Sequence, residues 1–137
     1  MRGVALVGAV LALVLAACSA AAAPGTEAPS AAASPRVITI ETTDQLKFVP
    51  AAVTVQKGET VVFRVVNTGT VEHEFMVGPK EAVAADSEDG TAELEGLEGG
   101  ETKELTYTFQ DAGDFAFACH VPGHFEAGMV GTVTVTP

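Results

Sequence analysis

Asp114-Phe115-Ala116-Phe117-Ala118-Cys119-His120-Val121-Pro122-Gly123-His124-Phe125-Glu126-Ala127-Gly128-Met129 carries the strongest structural signal in this chain. Its first six residues alternate, so as a strand they place Phe115, Phe117 and Cys119 on one face. Two phenyl rings mark that face as the core side, and the Cys119 thiol points the same way. His120 falls on the opposite face if the strand continues through it. Pro122-Gly123 then bends the chain back, leaving His124 in the loop and Met129 at the start of a final strand.

The pattern extends outward from this segment. Val37 to Thr42, Ala52 to Gln56, Thr60 to Asn67, His73 to Val77, Lys103 to Gln110, Asp114 to Cys119 and Met129 to Thr136 are rich in strand-forming residues. Gln56-Lys57-Gly58-Glu59 and Gln110-Asp111-Ala112-Gly113-Asp114 supply turns. About seven or eight short strands with regularly spaced turns predict an all-β fold, an antiparallel β-sandwich. Parity along the fourth segment puts Val71, His73, Phe75 and Val77 on one face, with His73 at the inner rim.

Pro79 to Gly100 breaks the pattern. Glu81, Asp86, Glu88, Asp89, Glu93, Glu95 and Glu98 are interrupted by alanines and glycines. Glu81 to Asp86 predicts one or two helical turns, and the remainder reads as an excursion between strands. A solvated loop is the favoured reading, and an acidic docking patch the alternative. The ordered alternation of an EF-hand calcium loop is missing.

The amino terminus has a separate organisation. Met1-Arg2 followed by the apolar run Gly3 to Ala17 reads as a signal segment, residues 1–17. The run ends in Leu15-Ala16-Ala17-Cys18, which resembles a bacterial lipobox and predicts lipidation of Cys18. Residues 18–35 are rich in Ala, Ser and Pro and predict a flexible tether; the folded domain is residues 36–137. The expected location is therefore outside the cytoplasm, on a membrane through a lipid anchor, facing periplasm or cell surface. Only two cysteines are present, so a lipidated Cys18 leaves Cys119 without a partner. A lone thiol in an oxidising compartment calls for an occupant, and a metal ion is the obvious one. The formal charge of −11 argues against nucleic acid and anionic surfaces as partners.

Four soft or borderline donors supply the chemistry: His73, and Cys119, His124 and Met129 in Cys-x₄-His-x₄-Met spacing. Thiolate and thioether suit Cu(I), while imidazole suits both oxidation states, so this set tolerates the transfer of one electron. Each residue alone has an ordinary explanation as packing or surface; the four together at the end of an all-β domain do not.

On these residues the domain resembles the cupredoxins, the plastocyanin/azurin group, over Val37 to Val135. The loop spacing is similar to the rusticyanin and auracyanin pattern. The resemblance implies a Greek-key sandwich binding one copper ion, with His73, Cys119 and His124 as equatorial ligands and Met129 as the axial one. It also implies an electron exit at His124, ringed by Pro122, Phe125 and Val121. One departure is Glu74, where several cupredoxins carry an Asn that ties the ligand loops together. A backbone contact from residue 74 to the thiolate is compatible with Glu; the amide tie is not.

The function expected is a monomeric blue-copper protein shuttling single electrons between redox partners, such as a basic cytochrome or a membrane oxidoreductase. Sequestration or delivery of copper is the alternative, although Met- and His-rich tracts are missing. An enzyme is not expected, because three histidines and the segment Ala118-Cys119-His120 cannot build a second copper centre. Zinc is disfavoured because Met is a poor zinc ligand.

Overall fold

The computed structural model describes residues 34–137. The expected leader, the Cys18 lipidation site and the tether up to residue 33 lie outside the described residues.

The strands run in the order β1 (Arg36–Thr43), β2 (Lys47–Val49), β3 (Ala52–Gln56), β4 (Thr60–Asn67) and β5 (His73–Pro79). A short helix α1 (Lys80–Ala84) follows, then β6 (Ala92–Leu97), β7 (Thr102–Thr108), β8 (Gly113–Ala118) and β9 (Val130–Thr136). They form a four-stranded sheet, β2-β1-β4-β7, and a five-stranded sheet, β3-β9-β8-β5-β6. Sequence neighbours are mostly not sheet neighbours, so the chain crosses repeatedly between layers, as in a Greek-key sandwich.

Period-two alternation builds the core between the layers. Val61, Phe63 and Val65 of β4 are buried on one side, and Phe115, Phe117, Val133 and Val135 of β8 and β9 on the other. Phe48 meets Phe75 and Phe117 edge-on, and those two rings are tilted 31° to each other, with centroids 5.1–5.8 Å apart across the trio. Phe117 stands opposite Gly131 on β9, where a Cβ would lie 2.1 Å from the phenyl ring. Only a hydrogen fits there, and that close approach seats β8, the strand that leads into Cys119.

A smaller cluster lies apart from the main core. Met76, Ala116 and Ala118 alternate with the core residues of β5 and β8, and they pack with Val83 of α1 and with Phe125. The helical turn expected near Glu81 is thus present, held by one buried apolar side chain.

Three expectations need correction. Two strands were not legible: β2, and β6 within the acidic segment, which pairs antiparallel with β5. Gly96, at φ 56°, and the shift of register between His73 and Phe75 disrupt the regular alternation by which β6 would have been recognised. The sandwich is also not wholly antiparallel, because β1 pairs parallel with β4 and β3 parallel with β9. Alternation reports which face a side chain occupies but not the direction of the neighbouring strand. Finally, Val71 is 40% exposed rather than inward. It lies in the turn before β5, where strand parity does not apply.

Candidate metal centre

His73 is the first residue of β5 and is fully buried. Two side chains hold the turn that delivers it. The amide of Asn67, at the end of β4, donates to the carbonyls of Val71 (2.7 Å) and Leu97 (3.0 Å) and accepts from the Gly69 N–H (2.9 Å). From the β1–β2 turn, one Asp44 oxygen accepts from the N–H groups of Thr70 (2.7 Å) and Val71 (3.1 Å). The other accepts from the Thr70 hydroxyl at 3.2 Å. The two backbone donors hold the Asp44 carboxyl below its ordinary pKa of 3.8.

The loop after β8 brings the other donors. The Cys119 N–H donates to the Met129 carbonyl (3.2 Å), and the Met129 N–H donates to the His124 carbonyl (3.0 Å). The His124 N–H donates to Val121 (2.9 Å), and Gly123 and Gly128 adopt φ of 88° and 84° to close the loop. Lys47 reaches from β2 to the Gly128 carbonyl at 3.4 Å.

These elements bring the donor atoms of His73, Cys119 and His124 within 4.8 Å of one another. The Cys119 Sγ lies 3.3 Å from His124 Nδ1, and the two imidazole centroids are 5.1 Å apart. The backbone N–H of Glu74 donates to Cys119 Sγ at 3.3 Å, so the expected backbone contact is present in spite of the glutamate side chain. Among the described residues, neither ring nitrogen of His73 has a hydrogen-bond partner, although both are buried. A buried imidazole nitrogen without a partner costs stability unless something occupies it, and a metal ion would occupy one of the two.

The electrostatics agree. Burial pushes the Cys119 thiol up, against the pull of the Glu74 and Val121 N–H groups, and the Glu74 and Glu72 carboxylates push it further. Burial also lowers His73, as does the neighbouring His124, against the opposing effects of Asp44 and the Thr43 carbonyl. His73 is therefore the neutral imidazole that a metal needs. The thiol awaits a cation to stabilise its thiolate. One thiolate with two imidazoles is a donor set that suits copper. Met129 is buried in the same cluster as Cys119 and is joined through the backbone to both Cys119 and His124.

The copper-binding family model, described as plastocyanin/azurin, matches residues 36–136. The chain belongs to this family. Copper, as a single ion, is accordingly the cofactor of this cupredoxin, and its His-Cys-His cluster fits that ion.

The copper-resistant cuproprotein CopI of Rubrivivax gelatinosus is 39% identical over 77% of this chain and 69% of its own length. CopI of Vibrio cholerae is 34% identical over 80% and 70%. Among solved structures, reduced auracyanin from Roseiflexus castenholzii superposes with a TM-score of 0.68 at 26% identity, covering 76% of this chain and 99% of that one. Auracyanin A from Chloroflexus aurantiacus gives 0.65 at 28% identity, covering 75% and 100%.

His124 is 8% exposed while His73 and Cys119 are fully buried, so it is the most accessible member of the cluster. Pro122 is exposed, Val121 packs against the main core, and Phe125 packs against the Met76 cluster. His120 stands outside the donor cluster, as parity predicts. Sequence reasoning missed Asn67 and Asp44. The only available signal was Asn67-Thr68-Gly69, a turn signature at a strand end, which says nothing about the histidine it positions.

Proposed function

We propose that His73, Cys119 and His124, with the Met129 thioether, would hold copper in this cupredoxin as a blue type 1 site, and that the protein serves copper tolerance in the cell envelope. The observation that carries the site chemistry is the buried His73–Cys119–His124 cluster, with the Glu74 N–H aimed at the sulfur. Copper bound there supplies a one-electron couple. The protein's part is to keep the donors fixed: the loop bonds of Asn67 and Asp44, the Cys119–Met129 and Met129–His124 backbone bonds, and the aromatic floor of Phe48, Phe75 and Phe117 leave little to rearrange. The apolar surround excludes water from the sulfur, and the N–H groups of Glu74 and Val121 stabilise its negative charge.

The cellular role rests on the relatives. The proteins that align over about three quarters of this chain at 34–39% identity carry the name copper-resistant cuproprotein. A strain lacking this protein is expected to lose copper tolerance and to regain it with wild type but not with Cys119→Ala. Unchanged tolerance rejects the role.

A second reading, single-electron carriage between redox partners, is supported by the auracyanin-like fold and by the accessible edge of His124. It requires reversible voltammetry and fast exchange with a partner protein. Copper lost on each reduction counts against it. Export and membrane attachment through Cys18 belong to the same proposal, supported by the Leu15-Ala16-Ala17-Cys18 sequence. Labelled palmitate should enter wild type and not Cys18→Ala.

A further inference from the structure

His120 follows Cys119 in sequence, and Phe125 follows His124. Their rings stack, with centroids 5.1 Å apart and planes 19° from parallel. The residues that follow two of the donors therefore meet each other on the side of the loop away from the core. Phe125 rests on the Met76, Val83, Ala116 and Ala118 cluster, so the stack is seated on β5, β8 and α1. On its other side His120 meets the residue after the helix cap: Asp86 Oδ1 lies 3.4 Å from Nδ1, without hydrogen-bond alignment.

What keeps the imidazole there is packing. Its side chain is 11% exposed, and neither ring nitrogen has a hydrogen-bond partner among the described residues. Leaving buried ring nitrogens unpaired is unfavourable, so the flat contact with Phe125 must outweigh that cost. His120 contributes no donor atom to the His73–Cys119–His124 cluster.

We propose that the His120–Phe125 stack is a clamp that sets the Cys119–His124 separation, with His120 and Phe125 as positioning residues for the copper centre. Cys119 Sγ and His124 Nδ1 lie 3.3 Å apart, held within the loop by their own contact and by backbone bonds and turns, with Lys47 bonding the Gly128 carbonyl from β2. The stack closes the same span from outside, joining positions 120 and 125 across the loop. Without it, the loop can widen and carry Cys119 and His124 apart, although every donor side chain is still present. The proposal rests on copper being held by these donors.

The experiment compares wild type, His120→Ala, His120→Phe and Phe125→Leu in the full chain, each loaded with one equivalent of Cu(II). Blue colour in wild type tests the copper reading itself; a colourless wild type refutes that reading, whatever the variants do. Given a blue wild type, the clamp predicts that His120→Ala and Phe125→Leu still bind one copper. In both, the intensity ratio of the two thiolate-to-copper bands and the copper hyperfine splitting should shift, and copper affinity should fall about 10- to 100-fold. His120→Phe, which keeps a flat ring but has no nitrogen, should retain the wild-type spectrum.

A metal-independent readout accompanies these. In the copper-free proteins, exchange of the Met129 and His124 amide protons should quicken in His120→Ala and not in His120→Phe. A His120→Ala protein with unchanged spectrum and exchange overturns the clamp. So does a His120→Phe protein that behaves like His120→Ala, since the nitrogen rather than the stack would then be what matters.

Discussion

Replacing Asn67 with Ala should loosen the copper site without touching a ligand. The amide makes three hydrogen bonds, to the Val71 and Leu97 carbonyls and from the Gly69 N–H, and is 1% exposed. At a net 0.5–1.5 kcal/mol each, with the groups left behind partly unsatisfied, the loss is about 2–4 kcal/mol. For a domain of this size that corresponds to a fall in Tm of roughly 10–20 °C. Thermal unfolding of the copper-free protein followed by circular dichroism measures it. Asn67→Asp is the sharper variant: it keeps the acceptor for Gly69, loses both donors and sets a charge against two carbonyls, so it should be no more stable than Asn67→Ala. Both variants should still turn blue with Cu(II), because His73, Cys119 and His124 are intact. Both should bind it more weakly, because the turn carrying His73 must be ordered on binding. A Tm within about 2 °C of wild type for Asn67→Ala, or a wild-type Asn67→Asp, would refute this account of how the loop is held.

Gly131→Ala should cost about 1–3 kcal/mol in urea unfolding, because its Cβ would run into the ring of Phe117, its fully buried cross-strand partner. The Asp44 carboxyl is held below 3.8, so the folded state binds a proton less readily than the unfolded chain. The stability it contributes is present above that value and is lost as pH falls through the depressed one. Asp44→Asn should therefore be less stable at neutral pH and show a shallower loss in acid titrations monitored by fluorescence or circular dichroism. Copper binds the folded chain, so metal in about 1,000-fold excess over its Kd should add about 4 kcal/mol to unfolding, and chelation should remove it. Cys119→Ala should forfeit the intense visible absorption while keeping its β-sheet circular dichroism. A coloured Cys119→Ala protein would place the thiolate outside the copper site.

Much of this molecule is written locally. Phe115, Phe117 and Cys119 do share the core face, and the segments Ala52–Gln56 and Thr60–Asn67 coincide with β3 and β4, because a period of two is a property of the backbone and needs no partner. The His73–Cys119–His124 cluster was legible for a similar reason: thiol and imidazole declare their chemistry by residue type, and two of the three lie within one loop. His120 could be set apart from the donors by parity alone.

The tertiary structure decided the rest, wherever the outcome depends on which segments meet. Alternation does not encode strand direction, so the parallel β1–β4 and β3–β9 pairs were out of reach. The acidic segment hid β6 because Gly96 and the irregular register opposite His73–Phe75 interrupt the pattern. Asn67 and Asp44 act on a turn built from other parts of the chain, through hydrogen bonds whose partners no local pattern predicts. The Glu74 N–H and the Cys119 sulfur meet across 45 positions of sequence, and the backbone makes that contact whatever the side chain at 74. The identity of the donors was thus local chemistry, whereas their separation and the stack that braces them belong to the fold.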